Sequence, residues 1–223
     1  NGPSRKNIDP TKLNGTVIGC NACYRDFTPD VICATDAGII SDIIDSGYDG
    51  KCYFTHNSWK LLPDASYVAL KTGKERETYR RFDAKYFVYI SGLDSNVENP
   101  QSYIFWVSPS MEDNIKNIGK EVYGWSTGTS ALHIACRDYT WDDYEKVYLL
   151  GFDHDNDYYD NIYTDTEHYF GKDREMRDEY YKWTKQIIKV VEEHPALQFI
   201  WVNYCGDNFP KLPNLFSRDE TQI

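Results

Sequence analysis

Asn1-Gly2-Pro3-Ser4, Cys20-Asn21, Asp36, Ser126-Thr127-Gly128-Thr129 and Gly151-Phe152-Asp153 share one chemical character. They are small residues, amides, hydroxyls and isolated carboxylates. Such groups hydrogen-bond a base, a ribose or a phosphate without bringing net positive charge. Ser126 and Thr127 stand ahead of an apolar-periodic run, which is an N-cap signal. The backbone N–H groups of such a helix start form a cradle for phosphate. Any one of these motifs alone is ordinary loop and capping chemistry. Their recurrence at the ends of successive strands points to a nucleotide site, because ligands of open α/β sheets sit at the carboxyl ends of the strands.

Proton transfer needs a group that is neutral and basic near pH 7. His168, Asp36 and Asp153 are of residue types that can take a proton. His133 falls inside the helix that follows Ser126 and reads as packing; His56 and His194 read as surface residues. Asp153, Asp155, Asp157 and Asp160 have half the spacing of a calcium loop. Tyr158 stands where such a loop needs Gly and Thr164 where it needs Glu, so calcium is excluded. A divalent metal at Asp153, Asp155 and Asp157, held against a diphosphate, is the minority reading; a solvated acidic loop and metal-independent chemistry are expected. The one basic stretch holds Lys71, Lys74, Arg76, Arg80, Arg81 and Lys85, interleaved with Glu75, Glu77 and Asp83. It reads as a solvated helix face or as a lid that grips a polyanion.

The elements that must position these residues alternate. Apolar runs at 16–19 (TVIG), 30–35 (DVICAT), 51–55 (KCYFT), 67–70 (YVAL), 86–90 (YFVYI) and 103–107 (YIFWV) predict strands. Further runs at 146–150 (KVYLL) and 197–202 (LQFIWV) predict two more, the first of them buried. Ile39, Ile40, Ile43 and Ile44 recur on one side of a helix over Ala37–Asp45, and a second helix runs from Ser126 to about Asp138. Met176, Tyr180, Trp183, Ile187 and Val190 mark a long amphipathic helix over 174–194, which Pro195 stops. The tail 203–223 reads as irregular. Alternation of this kind predicts an α/β fold of Rossmann-like type: a mostly parallel sheet with helices on both faces, in one domain over 1–223, with a lid or insertion at about 56–85.

Composition bounds the function. The chain has 223 residues, 41% of them hydrophobic and 16% aromatic, enough to bury a core. A net charge of −11 disfavours nucleic-acid binding over the whole surface, though not at a local basic patch. No apolar run reaches the roughly 18 residues of a membrane span. Six cysteines in so apolar a chain read as buried free thiols of a reducing cytosol rather than a disulfide scaffold. An open α/β sheet wants an apolar strand just before Asn1-Gly2-Pro3-Ser4, and such a strand is expected there.

NGPSRKNIDPTKL, CNACYRD, STGTSALHIA, VYLLGFD and EHYFG, in that order, resemble the bacterial lipo-oligosaccharide sialyltransferases. The resemblance implies a glycosyltransferase with a nucleotide-sugar donor and an inverting mechanism. Asn1, Gly2, Pro3, Ser4 and Asn21 would contact the donor, and Ser126, Thr127, Gly128 and Thr129 would hold its base, ribose or phosphate. Tyr158 or Tyr159 would donate to the leaving phosphate, and Tyr169 would position it. Two positions depart from the family. Lys172 stands where its general base His is expected, which leaves Lys172 for donor binding and His168 as substitute base. Asp36 stands where a different polar residue is expected. Pro29-Asp30 followed by a strand and Asp36 is more similar to pterin diphosphokinase-like proteins, so diphosphate transfer to a pterin-like alcohol is the alternative, with a non-catalytic nucleotide-binding protein as a third. The acceptor would be a glycan hydroxyl. Richness in Tyr, Asn, Asp and Ile resembles AT-rich genomes such as those of large phages, which adds a hydroxymethylated DNA base.

Overall fold

The computed structural model describes residues 1–54, 60–61, 85–90, 102–107, 114–139, 146–154, 157–204 and 208–222. Among these residues the strands form three sheets. The first has the order β1-β2-β3-β7, made of Ile18–Cys20, Val31–Ala34, Lys51–Phe54 and Ile115–Asn117, all parallel. The second has the order β10-β9-β8, made of Leu215–Arg218, Gln198–Val202 and Lys146–Leu149, also parallel. The third is antiparallel and joins β4 (Lys60–Leu61), β5 (Lys85–Ile90) and β6 (Ser102–Val107).

Among the described residues three α-helices cover this frame: α1 (Ala37–Asp45), α2 (Thr127–Asp138) and α3 (Arg177–Glu193). All four residues of β2 are buried, the pattern of an inner parallel strand packed on both faces. Side chains alternate across it. Ile32 and Ala34, with Cys52 and Phe54 of β3, pack against Ile39, Ile40, Ile43 and Ile44 of α1. Val31 and Cys33, with Tyr53, pack against Ala131 and Ile134 of α2. Helix α2 also serves the second sheet: Leu132 and Cys136 join Leu149, Phe199, Trp201 and Leu215, together with Ile187, Val190 and Val191 of α3. One short helix therefore fixes both parallel sheets relative to each other.

The α/β class stands, and four expectations need correction. The 86–90 and 103–107 runs pair antiparallel in their own sheet; a parallel pairing needs a crossover of about a dozen residues or more, and fewer than that join these two strands. Strand β8 is an edge strand, with Lys146 and Tyr148 exposed, rather than a buried one. The tail contains β10, which adds parallel to β9 and buries Leu215. Strand β7 was not anticipated, since IKN carries only one apolar residue. The 67–70 run and almost all of the proposed lid lie outside the described residues.

Candidate functional site

A cleft of about 600 Å³ runs along β1 and β8 and includes the carboxyl ends of the parallel strands. The turn after β1 and the end of β2 bring Asn21, Thr35 and Asp36 to it; the start of α2 brings Ser126, Thr127 and Gly128; the segment after β8 brings Gly151, Asp153 and His154. Asn1, Gly2, Tyr159, His168 and Tyr169 also line it. Eleven expected site residues thus meet at one place: Asn1, Gly2, Asn21, Asp36, Ser126, Thr127, Gly128, Asp153, Tyr159, His168 and Tyr169. Pro3, Ser4, Thr129, Tyr158 and Lys172 do not line it. Lys172 and Tyr158 are exposed. Lys71, Lys74, Arg76, Arg80 and Arg81 lie outside the described residues, as does Asp155.

The amino-terminal turn is tied across the cleft. Gly2 N donates to Gly151 O at 2.8 Å, and Asn1 Nδ2 donates to Cys20 O at 2.8 Å. Ser4 N donates to the Asp153 carboxylate at 2.9 Å. A Cβ on Gly2 would overlap that carboxylate, so only glycine permits the approach. Asp153 therefore acts here as a clamp on the turn. Below it, Arg5 is buried; it donates to Tyr163 OH at 2.8 Å and to Asp26 at 3.1 Å, while Tyr163 OH also donates to Asp26. Arg5, Asp26 and Tyr163 were not singled out from the sequence, because nothing local distinguishes a surface Arg from one destined for a buried network.

Ser126 is the N-cap of α2: its Oγ accepts from Thr129 N at 3.2 Å. Gln186 of α3 braces the same turn, accepting from Thr129 Oγ1 at 2.7 Å. Thr127 Oγ1 lies 2.6 Å from Thr35 Oγ1, which links the helix start to the end of β2. Asn21 has φ of 51° and a buried Oδ1 without a partner, an acceptor left for a donor in the cleft.

His168 lies over the first turn of α1. A Cβ on Gly38 would collide with its ring, and its Nε2 is 3.5 Å from Asp42 Oδ2. Asp42 also pairs with Arg25 at 3.0 Å. Desolvation by the cleft walls raises the Asp36 carboxyl above its ordinary pKa, opposed by a hydrogen bond from Thr35 and by His168. Burial likewise raises the Tyr159 and Tyr169 phenols, so both stay protonated as donors; Tyr169 OH meanwhile accepts from Ala22 N at 3.1 Å.

His154 escaped the sequence reading. Its ring stacks on Tyr180 at 5.3 Å between centroids, and its Nδ1 is 3.4 Å from Thr184 Oγ1. Desolvation lowers its pKa to about 3, so the imidazole is neutral at any physiological pH. Its place directly after Gly-Phe-Asp, at a strand's carboxyl end, was the available signal.

Asp157 is held by Arg177 through two hydrogen bonds, at 2.8 and 2.5 Å, on the surface. Cys23, Cys33, Cys52 and Cys136 are buried free thiols, with Cys23 pushed up to about 12 by desolvation. Among the described residues no helix is long and apolar enough to cross a membrane. Comparison with protein-family models, with curated proteins and with solved structures finds no match to this chain.

Proposed function

We propose that the cleft is the donor site of a glycosyltransferase that takes a sugar from a nucleotide sugar, on a Rossmann-like sheet with the 56–85 segment as lid. One observation carries the reading: the amides, hydroxyls and carboxylates that follow successive parallel strands converge on a single cleft. Asn21 Oδ1 and Thr35 suit a base or ribose. The start of α2, capped by Ser126, suits phosphate. The phenols of Tyr159 and Tyr169 suit the oxygen that leaves with the nucleotide.

The proposed reaction is a one-step inversion. The acceptor hydroxyl, on a glycan or a hydroxymethylated base, attacks the anomeric carbon. Its proton passes to His168, and the phosphate departs with the electron pair of the sugar bond. Asp42, next to Nε2, would orient the imidazole. No divalent metal is needed in this scheme.

The test is a thermal-shift screen over nucleotides and nucleotide sugars, followed by turnover of the best donor. A ligand at 100 times its dissociation constant adds about 2.7 kcal/mol of stability. His168→Ala should lower turnover about 10²–10⁴-fold with donor affinity little changed. Activity should survive EDTA. An active His168→Ala together with loss in EDTA would move the chemistry to Asp153 and a metal. The Asp36 carboxyl in the cleft favours a second reading, diphosphate transfer from ATP to a pterin-like alcohol; release of AMP rather than of sugar would select it.

A further inference from the structure

Helices α2 and α3 pack on one face of the second sheet, against Leu149, Phe199 and Trp201. Side chains alternate along a strand, so Lys146 and Tyr148 of β8, Gln198 and Ile200 of β9, and Phe216 and Arg218 of β10 belong to the opposite face. These six line a hollow of about 240 Å³. The pairing register sets Tyr148 and Phe216 on either side of Ile200, in one row across the sheet. Neighbouring strands lie about 4.8 Å apart, which puts the two aromatic positions about 10 Å apart. Lys146 lies one row toward the strand starts, in register with Gln198, and Arg218 one row toward the strand ends, in register with Val202. Tyr148 is 42% exposed and Phe216 36%, although a parallel sheet ordinarily has both faces covered. Lys146 and Arg218 are exposed, and the hollow holds no carboxylate beside them.

We propose that this face binds a single-stranded nucleic acid, with bases stacked on Tyr148 and Phe216 and phosphates held by Lys146 and Arg218. Charge complementarity and the aromatic row together select that occupant. Every base has a π face to lay on an aromatic ring, so such a platform takes a strand of any sequence. The two cations stand at opposite corners of the row. A backbone that crosses the sheet from Lys146 to Arg218 therefore carries its bases over Tyr148, Ile200 and Phe216. Gln198 adds an amide that can meet a base edge. A second copy is the poorer occupant, because two such hollows laid together gather four cations and no carboxylate. An acidic peptide would answer the cations and leave the rings in water. Elsewhere the chain is acidic, with a net charge of −11, which confines a polyanion to this patch. The proposal does not depend on what the cleft binds.

The test is fluorescence anisotropy of the full chain with a labelled oligothymidylate of about 12 nucleotides, at about 50 mM salt and with no nucleotide sugar present. Phe216 and Arg218 are the informative positions, because Lys146 and Tyr148 also border the cleft and these two do not. Phe216→Ala should weaken binding about ten-fold or more, whereas Phe216→Tyr, which keeps the ring, should bind as the parent does. Arg218→Gln should lessen the slope of log affinity against log salt by about 0.7, the share of one single-strand phosphate contact. A duplex of the same length should bind more weakly, since its bases are already stacked on one another. No binding at about 50 mM salt, binding that Phe216→Ala leaves unchanged, or equal loss in Phe216→Tyr overturns the proposal. Equal or tighter binding of the duplex overturns it too. Tighter binding of polyglutamate assigns the face to an acidic peptide, and a dimer in sedimentation that Phe216→Ala dissociates assigns it to a second copy; either result overturns the proposal as well.

Discussion

Gly128 shows how a residue's neighbours change what a substitution reports. From sequence alone, a side chain at Gly128 should block only the approach of phosphate to α2. In the structure a Cβ there lies 3.2 Å from the Phe152 ring, which is itself packed on Trp201. We therefore expect Gly128→Val to weaken nucleotide binding and also to cost about 1–3 kcal/mol through overpacking. Calorimetric titration and denaturant unfolding of the same variant separate the two effects. A variant of full stability that still binds would remove the helix start from the site. His168 carries the opposite lesson. Its place at the head of His168-Tyr169-Phe170-Gly171 was visible in the chain, but its seat over Gly38 and its approach to Asp42 depend on a contact between segments 126 residues apart (168 minus 42).

At the scale of elements, α2 is the part on which the site and the core both depend. Its first turn is capped by Ser126, braced by Gln186 and joined to Thr35, while its apolar residues face two sheets. We expect Ser126→Ala to cost about 1 kcal/mol, the usual loss of an N-cap. Ser126→Asp should keep stability but repel phosphate, so a loss of nucleotide affinity with unchanged Tm would separate capping from binding. Both ends of this helix were readable, because capping and 3.6-residue periodicity are local. So was α1, from its four isoleucines. Strands β2, β3 and β9 were readable as dense apolar runs. What escaped depends on pairing. β10 exposes three of its four residues and pairs with β9, and β8 lies at an edge that only the completed sheet defines. The site was legible as a set of strand-end motifs. The buried Arg5 network and His154 were not, because burial of a charged or titratable side chain is decided by segments far away in the chain.

At the scale of the whole molecule, acid stability should carry the signature of His154. Burial among Tyr180, Trp183 and Trp201 holds its folded pKa at about 3, against 6.5 for the free group. Above pH 6.5 the ring is neutral in both folded and unfolded chains, and its contribution is fully present. Between 6.5 and about 3 the unfolded chain binds a proton that the folded chain refuses, so stability falls with falling pH, by up to about 1.4 kcal/mol per pH unit. Carboxylates with lowered pKa, such as Asp138 beside Arg137 and Asp157 beside Arg177, lose stability in the same direction but below about pH 4. Asp36 works against them: its raised pKa means that the folded state takes its proton first and gains stability as pH falls. The window from pH 6.5 to about 4.5 therefore belongs to His154, whose shift is the large one, with a part of the same sign from His194, which burial also lowers. We expect His154→Phe, which keeps an aromatic ring against Tyr180, to flatten the decline of unfolding free energy across that window while Asp36→Asn leaves it in place. Urea unfolding at half-unit pH steps measures both. An unchanged slope in His154→Phe would mean that the ring is hydrated through the cleft and titrates near its ordinary value.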